Sequence, residues 1–227
     1  MTRDQLIDRV LTKLDEKSPF DEPQSFIAAE GDSSYDKVKP IKVYVDDLLD
    51  EAANDCLRML PLSLVRNDIE HKVIPNAKQI KGVVSIGFNE VHNRFAARHN
   101  YVRFVRVSST LWNRNVTSFI TSSSPLYELQ QNIHTRGKSS KPVVVIVPEK
   151  ESLELYSFNS ALEYVHVEFY FIDCDKTAGS NSNYPVKSPI EDFIAIRCAE
   201  LVCNVFGSQT ASVFQKEFTE KVNSVLK

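Results

Sequence analysis

The chain lacks several patterns that mark enzymes and membrane proteins. Its six glycines never fall into a G-x-G-x-x-G or G-x-x-x-x-G-K spacing, which excludes the common phosphate-cradling loops. No apolar run approaches the roughly 20 residues that a membrane-spanning helix needs. The amino terminus, Met1-Thr2-Arg3-Asp4-Gln5, has no apolar segment either, so we expect no secretory signal.

Metal-binding patterns are equally scarce. The four cysteines have no C-x-x-C spacing: Cys56, Cys174, Cys198 and Cys203. We interpret them as reduced, mostly buried small apolar residues, typical of a reducing cytoplasm. The five histidines are scattered: His71, His92, His99, His134 and His166. His166 and Glu168 share one face of a predicted strand, but two ligands are too few for a zinc site, and we predict no metal and no cofactor.

One acidic motif is superficially similar to the active site of metal-dependent nucleases. Asp68, Glu70 and Lys72 supply two acids and a lysine. That chemistry, however, needs acids from adjacent strands that converge on Mg²⁺. Alternating charges on a polar strand explain the three residues equally well, and we predict that the chain is not an enzyme.

Charge is distributed unevenly along the chain. Residues 1–60 hold 14 acids and 8 bases, residues 61–144 hold 4 acids and 12 bases, and residues 145–227 hold 12 acids and 7 bases. The middle is therefore basic between two acidic ends, although the net charge of the whole chain is only −3. This pattern indicates either an anionic partner or self-complementary assembly of copies.

Two amphipathic helices are predicted in the N-terminal part. The first spans Thr2–Glu16 and opens with a capping box, in which Thr2 and Gln5 satisfy each other's backbone N–H groups. A polar connector follows at Ser18–Lys39, and the second helix spans Ile41–Leu60. The outer side of this helix is predicted to be acidic, with Asp46, Asp47, Asp50, Glu51 and Asp55.

The last forty residues predict a second pair of helices. Ser188-Pro189-Ile190-Glu191 has the pattern of a capping box, and the helix that follows is apolar on most sides, so it must be buried. After a break at Gly207-Ser208, the final helix has one apolar face only: Ala211, Phe214, Phe218, Val222 and Val225. We expect this face to dock on the chain's own helices or on another protein.

The middle of the chain changes to the period of β-strands. Strands are predicted near residues 73–74, 83–88, 101–107, 116–120, 142–147, 153–158 and 164–172, and Ser124-Pro125 opens a short helix. Helices thus flank the strands instead of alternating with them. This order predicts an α+β fold, with a helical bundle built from the N- and C-terminal helices and a β-rich middle domain. The predicted parts are 1–66 (helices and connector), 67–187 (middle domain) and 188–227 (closing helix pair).

Arginines in the basic middle are interleaved with aromatic residues. The arginines are Arg94, Arg98, Arg103, Arg106 and Arg114, and the aromatics are Tyr101, Phe104 and Trp112. Such a pattern can hold phosphates and stack bases, so a nucleic-acid-binding module in the Arg94–Arg114 region is the alternative function. On a regular strand, however, Arg103 and Arg106 face opposite sides. Pairing with carboxylates of this chain or of a neighbour explains these arginines as well.

Three sets of short motifs carry a resemblance to a known family. The closing pair contains Ala195-Ile196-Arg197-Cys198-Ala199-Glu200-Leu201-Val202, then Gly207-Ser208, then Ser212-Val213-Phe214-Gln215-Lys216-Glu217-Phe218. The second predicted helix contains Asp47-Leu48-Leu49-Asp50-Glu51-Ala52 and ends at Leu60-Pro61. The middle contains Leu126-Tyr127-Glu128-Leu129-Gln130, Thr135-Arg136-Gly137 and Lys141-Pro142-Val143. In this order the motifs resemble the head-to-tail adaptors of tailed phages, the tail tubular A-like and connector-ring proteins, and in particular the ring proteins of crAss-like phages.

The resemblance implies a virion structural protein. Such a protein forms a ring, commonly a dodecamer, below the portal; it joins the capsid to the tail and surrounds the DNA channel. The implied partners are further copies of the chain, the portal protein and other tail or ring proteins, with DNA passing through without sequence-specific binding and no membrane. The implied location is the neck of the virion, after assembly in the host cytoplasm.

Two sets of residues are candidates for contacts in such a ring. We expect the subunit or portal interface to include Phe214, Phe218, Val222, Arg103 and Arg106. The acidic face of Asp46, Asp47, Asp50 and Glu51 is expected either to line the channel or to pair with arginines of a neighbouring copy.

Overall fold

A computed structural model describes residues 1–17, 40–91, 101–159, 161–173 and 186–226, and the predicted mixed α+β class is confirmed. The helices in these residues are α1 (Arg3–Lys17), α2 (Ile41–Met59), α3 (Phe88–Val91), α4 (Pro125–Gln131), α5 (Glu191–Val205) and α6 (Ala211–Val225). The strands are β1 (Ile69–Ile80), β2 (Val83–Gly87), β3 (Tyr101–Ser108), β4 (Ile120–Thr121), β5 (Val143–Val147), β6 (Ser152–Tyr156) and β7 (Tyr164–Asp173). The predicted connector at Ser18–Lys39 lies outside the described residues, as do His92, Arg94, Arg98, His99 and Cys174.

The chain divides into two compact units. Met1–Asp68 with Cys174–Lys227 forms the helical unit, and Ile69–Asp173 forms the β unit. In the helical unit α5 packs against α1, α2 and α6, and α1 also packs against α2. As its apolar sequence predicts, α5 is buried on most sides: Phe193, Ile194, Ala195, Ile196, Cys198, Ala199, Val202 and Cys203.

Two helices start as their sequences predict. The N–H of Thr2 donates to Oε1 of Gln5 at 2.9 Å, and the N–H of Gln5 donates to Oγ1 of Thr2 at 3.3 Å. This reciprocal pair is a capping box, and it satisfies backbone donors that have no partner inside α1. At α4 the side chain of Ser124 accepts the N–H of Leu126, and Pro125 occupies the first turn.

The predicted capping box at Ser188 is wrong. Helix α5 begins at Glu191, with Ile190 as its N-cap and no side-chain capping bond. The cause is the buried Asp68, whose carboxylate accepts the N–H of Lys187 at 2.6 Å and the N–H of Ser188 at 3.0 Å. These two bonds hold the backbone before α5 in a conformation that keeps the Ser188 hydroxyl away from the helix start.

The break between α5 and α6 is a helix-ending motif centred on Gly207. The N–H of Gly207 donates to the carbonyl of Asn204 at 3.1 Å, and the N–H of Ser208 donates to the carbonyl of Cys203 at 2.9 Å. This pair of bonds defines a Schellman motif, which needs a residue in the left-handed region. Gly207 supplies it with φ of 64°.

The β unit is built on one curled sheet. In the described residues it has seven strands in the order β3-β7-β1-β2-β6-β5-β4, antiparallel except for the short parallel pair β4–β5. One face carries a large apolar core in which Trp112 stacks on Phe158 at 5.3 Å and Phe104 lies 5.9 Å from Phe88, measured between ring centroids. A smaller cluster on the other face joins Val145, Val147 and Tyr156.

Strand β1 is much longer than its sequence predicts. Only residues 73–74 show strand character, yet β1 extends from Ile69 to Ile80 because it pairs with β7 along most of its length and with β2 at its end. Its register shifts between Ile74 and Ala77, next to Pro75. Since proline cannot donate to a ladder, an irregularity is where a central strand tolerates it. The strand predicted at 116–120 is reduced to a bridge at Val116 and to the two residues of β4.

Candidate functional site

The acidic face of α2 is partly used inside the chain. Nε of Arg3 lies 2.6 Å from Oδ1 of Asp46, and Nη1 of Arg3 lies 2.9 Å from Oδ1 of Asp50. Burial lowers the pKa of Arg3, but the hydrogen bonds with these two carboxylates outweigh burial and raise the pKa above its ordinary value. Asp46 and Asp50 therefore fasten α1 to α2. Asp47 and Glu51 are the members of the face whose side chains are exposed beside this pair.

The apolar face of α6 docks on the chain's own helices. Phe214 is fully buried, Phe218 is buried with its ring edge-on to Phe193 at 5.9 Å, and Val222 is partly buried. Of the two docking partners expected for this face, the structure thus places the first one, the chain itself. The expectation that Phe214 and Phe218 form a subunit or portal interface is corrected, because neither ring is accessible to another protein.

Ion pairs surround the α6 contact. Nζ of Lys221 lies 2.8 Å from Asp192 of α5, which also pairs with Arg9 of α1. Nζ of Lys13 lies 3.3 Å from Glu217. Burial raises the pKa of Asp192, but its bond with Lys221 and the nearby cations reverse this and hold the pKa below its usual range. Three helices of the unit therefore share one charged rim.

The three described thiols of the helical unit are structural. Cys56, Cys198 and Cys203 are free and buried, as their positions in the helical patterns predict. Burial raises the pKa of the Cys198 thiol to about 12, and its Sγ donates to the carbonyl of Val45 at 3.6 Å. A thiol that stays protonated is neither a nucleophile nor a metal ligand.

The predicted opposition of Arg103 and Arg106 on β3 is wrong. Arg103 pairs with Ile172 of β7 and Arg106 pairs with Tyr170, with a register shift between Phe104 and Arg106. Because Ile172 and Tyr170 are two residues apart on a strand, they point to the same face, and so do the arginines opposite them. The irregularity turns a spacing of three residues into a shared face, which no alternation rule predicts.

Arg106 belongs to a stack that crosses three strands. Its Cζ lies 3.8 Å from the ring centroid of Tyr170, and the imidazole of His71 on β1 stacks on the same tyrosine at 4.4 Å. A guanidinium over an aromatic face is attracted by the ring's quadrupole. The stack gives this face of the sheet an ordered row of cation, phenol and imidazole.

Glu168 lies beside this stack between two histidines. Its carboxylate is 3.2 Å from Nε2 of His166 and 3.6 Å from Nε2 of His71, and it accepts the hydroxyl of Ser108 at 3.4 Å. The hydrogen bond with His166, and then the charges of His71 and His166, hold the pKa of Glu168 below its usual range. No group of three side chains suited to a metal ion occurs in the described residues. The cluster is a hydrogen-bonded network of one carboxylate, two imidazoles and a hydroxyl.

A buried carboxylate on β6 was not predicted from the sequence. Glu154 accepts the hydroxyls of Tyr156 at 2.6 Å and Tyr127 at 3.0 Å, and pairs with Nζ of Lys150 at 3.0 Å. Burial raises the pKa of Glu154, but these three donors outweigh burial and lower the pKa overall. Burial, together with the bond to Glu154, raises the pKa of Tyr156 well above its ordinary value. Since Tyr127 belongs to α4, the network fastens that helix to the sheet.

The nuclease-like motif does not assemble. Asp68 is buried and its two carboxylate oxygens are taken by the backbone N–H groups of Lys187 and Ser188. Glu70 and Lys72 follow on β1, where they pair with Phe171 and Phe169 of β7. The carboxylate of Asp68 therefore has a structural role, because it holds the backbone just before α5.

No family model and no curated protein matches this chain. In the described ranges, no helix is both long enough and apolar enough to cross a membrane.

Proposed function

We propose that this chain is a structural head-to-tail adaptor of a tailed-phage virion. It forms a ring below the portal that joins capsid to tail and surrounds the DNA channel. In this proposal the N- and C-terminal helices build a bundle that carries the β-rich middle as a domain. Its partners are further copies of itself, the portal protein and other tail or ring proteins, and its place is the neck of the virion. It performs no catalysis and holds no cofactor.

The division of charge between the two units carries the proposal. The helical unit contains 21 acids and 15 bases, whereas the β unit contains 9 acids and 12 bases. The five histidines all lie in the β unit. Opposite charges on two parts of one chain favour an association in which different units of neighbouring copies meet. Contacts of this heterologous kind close into rings when the rotation between copies is suitable.

An exposed acid of α2 suits the wall of a DNA channel. Each lysine or arginine that neutralises a phosphate adds a salt-dependent attraction, which would hold DNA that must pass. Asp47 is exposed and acidic, and it lies beside the Arg3 contacts that use Asp46 and Asp50. A surface of this charge repels the phosphate backbone weakly and does not read its sequence.

Negative-stain electron microscopy with a portal tests the proposal. The purified chain is mixed with the portal protein of the same phage, and we expect rings with a central channel stacked on the portal. A sample without portal is the control, since a ring that needs a template forms only in the mixture. A chain that neither binds the portal nor forms rings at any protein concentration contradicts the proposal.

A nucleic-acid-binding module is the second candidate, and the irregularity in β3 favours it. Arg103 and Arg106 share one face of β3 with Tyr170, and the guanidinium of Arg106 lies over the ring of Tyr170. Such a group suits a phosphate beside a stacked base. This arrangement removes the objection that the arginines point in opposite directions.

Fluorescence anisotropy with a labelled duplex separates the two candidates. A module predicts an affinity that falls steeply with salt, and Arg106→Ala should reduce the slope of log K against log salt by about 0.9 for one lost phosphate contact. Lys78→Ala, an exposed base on β1, is the matched control. An adaptor predicts weak binding with the same slope in both variants, and an absence of binding at low salt eliminates the module.

A further inference from the structure

Helix α4 has its polarity inverted. Its buried side carries Gln130 and the partly buried Tyr127, whose hydroxyl donates to Glu154 of the sheet. Its outer side carries Leu126 and Leu129, and Ile133 follows just after the helix; these three side chains are between 49% and 61% exposed. A surface helix ordinarily turns its leucines inward and its polar residues outward. We call Leu126, Leu129 and Ile133 the apolar strip.

A pair of lysines lies a few residues beyond the apolar strip. Lys138 and Lys141 oppose each other in an antiparallel bridge, with N–H to carbonyl distances of 3.1 and 2.8 Å in the two directions. Both side chains are exposed. Like charges directly opposite each other in such a bridge repel and destabilise it. A carboxylate from outside would relieve this repulsion.

The apolar strip and the lysine pair together define what would cover them. The partner surface must present aliphatic side chains for the strip and a carboxylate for the lysines, because apolar burial gives affinity and charge complementarity sets register. Isolated exposed leucines need no explanation, but here an inverted helix is followed within a few residues by an opposed lysine pair. The N–H of Gly137, next to Lys138, donates to Oε1 of Gln130 at 2.9 Å and so holds the lysine segment close to α4.

The outer side of α2 presents the complementary groups. Glu51 is exposed there, and further along the same helix and just after it Met59 and Leu62 are 58% and 42% exposed. Eight residues of helix separate Glu51 from Met59, which is about 12 Å at 1.5 Å per residue. The acidic and apolar groups of α2 therefore lie along one short segment, as the apolar strip and the lysine pair do.

We propose that the apolar strip and lysine pair of one copy bind the Glu51–Leu62 side of α2 in the next copy. Met59 and Leu62 cover the strip, and Glu51 pairs with Lys138 or Lys141. The contact is heterologous, since each copy uses a different surface to each side, and it is the type of contact that generates rings or filaments. The inference rests on the proposed function in so far as it assigns the contact between ring subunits.

Complementary blocked variants of the full chain test the contact. In L129Q/K138E the strip side is blocked and α2 is intact, whereas in E51A/M59Q the α2 side is blocked and the strip is intact. Association is measured by sedimentation equilibrium over a range of concentrations. Each variant alone should associate roughly tenfold more weakly or worse than the wild type, as for the loss of a central interface anchor. An equimolar mixture should form a dimer and nothing larger, because one intact junction remains.

A matched control separates this contact from general effects of charge and polarity. V213Q/K216E makes changes of the same kind at exposed positions of α6, which carries no residue of either proposed surface. We expect its association to equal that of the wild type. Circular dichroism melts of the three double variants establish that each is folded.

Each outcome decides the inference. A one-to-one dimer in the mixture, with weakened association of the separate variants, supports it. Wild-type association that either blocked variant leaves unchanged overturns it, while the ring proposal stands on another contact. Monomers in the wild type and in the mixture at every concentration also overturn it, and the imaging experiment with the portal then decides the ring proposal separately.

Discussion

Nε and Nη2 of Arg197 both donate to Oδ2 of Asp55, at 3.0 and 2.7 Å, and so join α5 to α2. Nη1 of the same arginine lies 2.8 Å from Oε1 of the buried Glu200. Burial lowers the pKa of Arg197, but the hydrogen bonds to Asp55 and Glu200 outweigh it and raise the pKa. The polar residues Arg197 and Glu200 of the otherwise apolar α5 are thereby explained, because Arg197 joins both Glu200 and a carboxylate of α2. The prediction that Asp55 lies on the outer side of α2 is wrong, since its carboxylate contacts α5.

Replacing Asp55 should therefore weaken the helical unit. Asp55→Ala leaves the half-buried guanidinium of Arg197 with one carboxylate instead of two, and we expect the free energy of unfolding to fall by about 1–3 kcal/mol. Urea denaturation measures this change. Glu220→Ala is the control, because its pair with Lys216 is exposed and long at 3.9 Å, and should contribute less than about 0.5 kcal/mol. Equal losses in both variants contradict the assigned role of Asp55.

Shortening a side chain on the buried side of α6 should lower the free energy of unfolding, whereas shortening one on the exposed side should leave it nearly unchanged. Phe214→Ala should cost about 3–5 kcal/mol of unfolding free energy, because it opens a cavity against α5, whereas the exposed Val213→Ala should stay within about 0.5 kcal/mol. Thermal melts followed by circular dichroism measure both changes. If Phe214→Ala melts like the wild type, α6 is not docked as described. A chain truncated after Gly207 would lose the buried rings of Phe214 and Phe218. Failure of such a chain to join a portal would therefore report a loss of folding and would not identify α6 as the attachment site.

A side chain added at Gly207 should destabilise the protein only because the backbone there has a positive φ. An added Cβ meets no atom within 4 Å, so the cost of Gly207→Ala is that of a positive φ, about 1 kcal/mol. Asparagine visits the left-handed region more readily, and Gly207→Asn should cost less than Gly207→Ala. Chemical denaturation of the pair checks the order, and a reversed order contradicts the Schellman assignment.

The Glu154 network should make the stability of the β unit depend on pH. Because the folded pKa of Glu154 is lowered, its contribution is present above the ordinary value of 4.5 and is lost as the pH falls through the folded pKa. Glu154→Gln should therefore cost about 1–3 kcal/mol at neutral pH, and the difference from the wild type should shrink in acid.

Unfolding curves at neutral pH and below pH 4.5 test this prediction. Glu128→Gln, an exposed acid on α4, is the control and should change stability by less than about 0.5 kcal/mol at either pH. A cost of Glu154→Gln that is equal at both pH values contradicts the lowered pKa of Glu154.

Local signals in the sequence predicted local structure well. The capping box of Thr2 and Gln5, the Ser124 cap and the helix break at Gly207 each depend on residues within a few positions of one another. The burial of α5 followed from its composition alone, because a helix that is apolar on most sides has few alternatives.

Distant partners account for most of what the sequence did not predict. Ser188 has every local mark of an N-cap, yet Asp68, 120 residues earlier, takes its N–H. Arg3 reaches Asp46 across 43 residues and also pairs with Asp50, so two acids of this face are paired with a base outside their own helix. The irregularity between Phe104 and Arg106 depends on pairing with β7 and leaves no mark in the alternation of β3.

The carboxylate of Asp68 accepts the N–H groups of Lys187 and Ser188 and thereby joins the two ends of the segment that carries the β unit. The chain departs for the β unit directly after Asp68 and has returned by Lys187, so both ends of the excursion are tied at a single carboxylate. A segment whose ends already meet can be exchanged for a longer, shorter or unrelated one with little added loop-closure entropy. We therefore expect that the β unit can be replaced. A short linker from Asp68 to Lys187 should leave the four helices able to fold without it.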